Sequence, residues 1–78
     1  MKQVKVLGPG CKRCQATEEM VTMEAARLGV PVTVEKVTDY AAIAAYGIMS
    51  TPGIVIDGKV VHAGGLPKAE DVAKWLAA

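Results

Sequence analysis

The amino-acid sequence predicts an α/β fold, a three-layer α/β/α sandwich whose elements run β-α-β-α-β-β-α around a four-stranded mixed sheet. Three observations predict it. Two β-branched runs, Val4–Leu7 and Val32–Val37, flank a long segment of helical periodicity, and strands joined by a crossing helix pair in parallel. Asp57-Gly58 separates two further apolar runs, a strong signal for an antiparallel hairpin. Glycine and proline punctuate the remaining chain so as to leave room for two more helices.

The first strand, Val4 to Leu7, ends at Gly8-Pro9-Gly10, which reads as a tight loop. From Lys12 to Leu28, Cys14, Val21, Ala25 and Leu28 recur at helical spacing, and Gly29 supplies a C-terminal stop. Cys11 therefore falls at the N-terminus of this helix. After Pro31, Val32 to Val37 is the second strand. Thr38 or Asp39 can cap a short helix that runs through Tyr46 and closes at Gly47. Gly53 to Asp57 and Lys59 to Ala63 form the hairpin, and Pro52 just before it, unable to donate to a sheet ladder, marks the end of a loop. In the last segment Pro67 stands near the first helical position, with Val72, Ala73 and Leu76 as the apolar stripe.

A chain of 78 residues has the length of one domain, here residues 1–78, with a core too small for more than modest stability. Apolar residues make up 51% and charged residues 22%, a balance that supports a packed core and argues against disorder. The formal net charge of +1 is spread singly along the chain, which offers no basic stripe for nucleic acid. No apolar run approaches a membrane span and no secretion signal precedes the first strand. The expectation is a cytoplasmic, monomeric, soluble protein with neither nucleic acid nor membrane as partner.

Both cysteines lie in Cys11-Lys12-Arg13-Cys14, a spacing that serves reversible disulfide chemistry or soft metals. At a helix start, unpaired amides and the positive end of the dipole favour the thiolate of Cys11, and Lys12 and Arg13 add positive charge beside it. That makes Cys11 the expected nucleophile and Cys14, one turn into the helix, the resolving thiol. Lys12-Arg13 is expected to favour the reduced form and raise the potential. A closed zinc site needs about four ligands, whereas His62 is the single histidine and brings the N/S donors to three. Copper(I) accepts two thiolates, so a soft-metal carrier stands as the rival reading.

A C-x-x-C opening the first helix, Thr51-Pro52 before a hairpin and Gly64-Gly65 before the last helix together resemble the thioredoxin superfamily, and over essentially the whole chain. The length is similar to that of its small glutaredoxin-sized thioredoxins, the redox-active disulfide proteins. The resemblance implies a thioredoxin-like fold and a protein-disulfide oxidoreductase with no cofactor beyond the Cys11–Cys14 disulfide. It also implies disulfide-bearing substrate proteins and a separate reductase as partners, with a glutathione-linked disulfide reductase as a further alternative. It further implies a cis Thr51–Pro52 bond beside the disulfide, Thr51 backbone groups offered to an extended substrate, and Gly64 and Gly65 as another wall of the groove. There are departures. Thioredoxins place Trp before the first cysteine and Gly-Pro between the two, where this chain has Gly10 and Lys12-Arg13. They carry a buried acid on the first strand that helps take the proton from the second cysteine, where this chain has Lys5. Glutaredoxins commonly have Cys-Pro-Tyr-Cys, which is absent here.

Other chemistry-bearing residues read as structural. His62 alternates with Val61 and Ala63 on a hairpin strand and is expected on an exposed face, without a role. Met20, Met23 and Met49 are expected to fill the core rather than hold metal. Tyr40 and Tyr46 are expected to border the groove or cover the sheet, and Trp75 to pack its helix.

Overall fold

The computed structural model describes residues 2–10 and 12–77. In chain order the elements are β1 (Lys2–Leu7), α1 (Lys12–Leu28), β2 (Val32–Val37), α2 (Tyr40–Ala45), β3 (Gly53–Ile56), β4 (Lys59–Ala63) and α3 (Ala69–Ala77). The sheet order is β2-β1-β3-β4, with β1 parallel to β2 and antiparallel to β3, and β4 antiparallel to β3 across a register shift at Ile54/Val55. This is the expected mixed four-stranded α/β arrangement. No helix is long and apolar enough to cross a membrane among the described residues.

Strand period two sorts side chains between the two faces of the sheet. On one face Val4, Ile54 and Ile56 meet Val21 and Ala25 of α1 and Val72 and Leu76 of α3. On the other face Leu7 and Val55 meet Ile43 of α2, with Tyr46 and Ile48 packed against them. β1 is one of the two interior strands, and its even and odd residues serve different layers.

Local chemistry accounts for the element ends. Asp39 has extended backbone and its carboxylate accepts from the Ala42 amide at 3.0 Å, so it rather than Thr38 caps α2. Asp57 and Gly58 both have positive φ, 49° and 83°, the combination of a type I′ hairpin turn. Asp57 is also tied to β1: its amide donates to the Gln3 carbonyl at 2.8 Å and its carboxylate accepts from the Gln3 amide at 2.9 Å.

Several expectations need correction. β1 starts at Lys2 rather than Val4, because parallel pairing of Lys2 with Val32 extends it beyond the apolar run. β3 stops at Ile56, since Asp57 belongs to the turn, and Tyr46 caps α2 rather than extending it. Pro67 lies ahead of α3, which begins at Ala69 with the Lys68 carbonyl accepting from Asp71 and Val72. Leu28 does not share the buried face of α1. Thr17 does, its hydroxyl satisfied by donation to the Arg13 carbonyl at 2.7 Å. Met20 packs against the core, but Met23 and Met49 are 70% and 100% exposed, so core filling does not describe them.

Candidate functional site

β1 delivers the chain to the first turn of α1 through Gly8, Pro9 and Gly10. Gly8 is buried, and its amide donates to the Val37 carbonyl at 2.9 Å, closing the β1–β2 ladder. Its φ is not positive, so the requirement for glycine is one of space. A β-carbon on Gly8 would overlap the Cys14 Sγ, and it would stand 3.3 Å from the Cys14 Cβ and 3.7 Å from the Thr51 Cβ. Three segments distant in sequence therefore converge here: the end of β1, the first turn of α1 and the loop before β3.

Cys14 is 5% exposed on the inner face of α1. Lys12 and Arg13 precede it in the same first turn and are exposed. Cys11 lies outside the described residues, and α1 begins at the residue that follows it in sequence. The Gly10 carbonyl accepts from the Gln15 side-chain amide at 3.3 Å, which ties the loop to the helix.

The Thr51–Pro52 peptide bond is cis and Pro52 is fully buried. The Pro52 carbonyl accepts from the Gly64 amide at 2.9 Å, joining the two loops that the resemblance assigned to one groove. Gly64 has φ +86°, and a β-carbon there would stand 2.9 Å from the Ser50 Cβ, so both conformation and space call for glycine. Gly65 (φ +73°) has open space where a β-carbon would stand. His62 is not simply exposed: its Nε2 is 2.9 Å from the Gly65 carbonyl and its ring centroid is 5.6 Å from that of Trp75.

Lys5 is placed apart from Cys14. As an odd residue of β1 it faces the α2 layer, where its ammonium donates to the Tyr46 hydroxyl at 3.3 Å and lies 3.8 Å from the Glu35 carboxylate. The hydrogen bond to Tyr46, then its charge and that of Glu35, hold the Lys5 ammonium above the usual lysine range. On the Cys14 side there is instead a small cavity of about 40 Å³, whose walls include Gly8, Cys14, Gln15, Glu18, Lys36 and Thr38. The Glu18 carboxylate and the Lys36 ammonium, both in its wall, pair at 3.3 Å.

Of the residues that the sequence singles out, Cys14 and Thr51 meet at Gly8, and Pro52 and Gly64 are joined by a backbone hydrogen bond. Sequence reasoning does not single out Gly8, Glu18 or Lys36. Gly8 looked like one more loop glycine, and the pairing of Glu18 with Lys36 depends on the packing of α1 over β2. The available signal for Glu18 was its spacing of four from Cys14, which puts the two on one helical face.

Comparison with known proteins agrees with this geometry. The family model described as thioredoxin domain matches residues 2–77. Among curated proteins, the thioredoxin of Methanocaldococcus jannaschii is 33% identical over 76 residues, covering 97% of this chain and 87% of that protein.

Proposed function

This chain belongs to the thioredoxin domain family, and on that premise we propose that it exchanges disulfides with partner proteins through a Cys11/Cys14 couple. The Cys11 thiolate attacks a substrate disulfide, forming a mixed disulfide and releasing one substrate thiolate. Cys14 then attacks the Cys11 sulfur, the Cys11–Cys14 bond forms, and the second substrate thiolate leaves. Two electrons pass from the dithiol to the substrate, and a separate reductase restores them.

The observation that carries the reading is the convergence of buried Cys14 with Gly8 and Thr51, at the cis Thr51–Pro52 bond. A buried second thiol is protected from outside disulfides and available to its neighbour, which is what a resolving cysteine requires. Thr51, Pro52, Gly64 and Gly65 make the groove in which an extended substrate segment lies. Thr51 supplies backbone hydrogen-bonding groups and the two glycines permit close approach. Lys12 and Arg13 stabilise the Cys11 thiolate through their charge. The protein acts as a cytoplasmic monomer in this reading.

Insulin reduction in the presence of dithiothreitol tests the proposal. The wild-type chain is expected to accelerate precipitation of the insulin B chain. Cys11→Ser is expected to abolish the acceleration, and reduced Cys14→Ser, mixed with insulin after dithiothreitol is removed, to accumulate mixed disulfides visible by mass spectrometry. No acceleration by the wild-type chain, or full activity in Cys11→Ser, sinks the reading.

A further inference from the structure

Disulfide exchange requires that Cys14 lose its proton as it attacks, because the thiolate is the nucleophile. At 5% exposure Cys14 has little direct access to bulk water. Its cavity of about 40 Å³ exceeds the roughly 10–15 Å³ that one water needs, and its walls carry the polar partners a water requires. Glu18 lies one turn further along α1 on the same face. Its carboxylate is held 3.3 Å from Lys36 Nζ, and at 29% exposure it is the more covered member of the pair, Lys36 being 60% exposed.

The other charged groups of the surrounding elements do not line this cavity. Lys5 of β1 and Glu35 of β2 pair on the opposite face of the sheet. Asp39 caps α2. Lys12 and Arg13 sit exposed in the first turn of α1. Among the described residues, Glu18 and Lys36 are the charged side chains that line the cavity with Cys14.

We infer that Glu18, positioned by Lys36, accepts the Cys14 proton through water in this cavity when Cys14 resolves the mixed disulfide. The inference rests on the proposed exchange reaction. In that step the proton passes from Cys14 Sγ to the Glu18 carboxylate, the Cys14–Cys11 bond forms, and the Cys11–substrate bond breaks. The departing thiolate keeps the electron pair and takes a proton from solvent. Lys36 fixes the carboxylate at the cavity wall and does not itself exchange the proton. The acid that other thioredoxins carry on the strand is thereby supplied from the helix.

Stopped-flow reaction of the reduced protein with Ellman's reagent separates the two exchanges. The first thionitrobenzoate reports attack by Cys11, and the second reports resolution by Cys14. Glu18→Gln is expected to leave the first phase unchanged and slow the second by about 10²-fold at pH 7, within the usual range for general base catalysis. Its second-phase rate is expected to climb towards that of wild type as pH rises, because hydroxide then takes the proton that Glu18 no longer accepts. Glu18→Asp, which keeps the carboxylate, is expected to recover most of the lost rate. Lys36→Gln is expected to slow the second phase less than Glu18→Gln, and Lys5→Met to alter neither phase. A second phase whose rate and pH profile are unchanged in Glu18→Gln overturns the inference, as does an equal slowing of both phases, failure of Glu18→Asp to recover, or a larger loss in Lys36→Gln or Lys5→Met. If the wild-type chain releases only one equivalent, the exchange reading itself has failed, whatever the Glu18 variants do.

Discussion

Replacing Gly8 by alanine isolates the contact on which the site is built. The new β-carbon would overlap Cys14 Sγ and approach Cys14 Cβ to 3.3 Å. Neither partner yields easily, because Gly8 is fixed by its bond to Val37 and Sγ is attached directly to the Cβ of a residue in the first turn of α1. Overpacking of this kind costs about 1–3 kcal/mol. The whole fold, at the common 0.05–0.15 kcal/mol per residue, has roughly 4–12 kcal/mol to lose. With about 4–8 °C per kcal/mol for a domain of this size, the expected fall in Tm is roughly 4–24 °C. The assay is thermal unfolding under a phosphine reductant, followed by circular dichroism, for wild type, Gly8→Ala, Cys14→Ala and the double variant. In the Cys14→Ala background the sulfur is gone and the remaining approaches are tight but tolerable. Alanine is acceptable to the Gly8 backbone, so there its effect is expected to be near zero or slightly stabilising. The expected coupling is therefore at least about 1 kcal/mol, whereas independent sites add within about 0.3–0.5 kcal/mol. A Gly8→Ala cost that is the same in both backgrounds would refute the claim that the sulfur is what excludes a side chain.

Leu76→Ala removes a side chain that is 1% exposed in the core shared by α3, α1 and β1. It is expected to cost about 2–5 kcal/mol, read as a lower urea midpoint at unchanged slope, and a loss under about 1 kcal/mol would mean that α3 contributes little to the core. Glu24 accepts a two-pronged hydrogen bond from Arg27, at 2.9 and 3.0 Å, which holds its carboxyl below the usual glutamate range. A lowered folded-state pKa contributes stability that is complete above the unfolded value and vanishes as pH falls through the folded one. The Tm difference between wild type and Glu24→Gln is thus expected to be constant near neutrality and to narrow in acid; a difference independent of acid pH contradicts the pairing.

Much of the architecture was legible because it rests on local signals. The bounds of α1 and β2 follow from periodicity, β-branching and the glycine and proline between them, and Asp57-Gly58 marks a turn that needs two positive φ angles. Burial on α1 was less legible: Thr17 enters the core because its hydroxyl bonds back to Arg13, while Leu28, nearer the helix end, stays 36% exposed. The start of β1 at Lys2 depends on a partner strand thirty residues on, which no local propensity reports. The site divides in the same way. Cys14 and Thr51-Pro52 were found from motif spacing. The displacement of Lys5 to the far face required knowing which parity of β1 faces α1, and Lys36 entered only through its register beside Val6.

The placement of β1 in the interior of the sheet has a consequence for synthesis and for any truncation. Val4 pairs on one side with Val34 and on the other with Ile56, so one edge is satisfied early in translation and the other only after the hairpin has been made. A fragment ending before Gly53 would contain both cysteines, yet it would leave β1 with an open edge along Val4 to Leu7. An open edge of that kind recruits other chains. The C-terminal third, which carries neither cysteine, keeps the rest of the chain from finding the wrong neighbour.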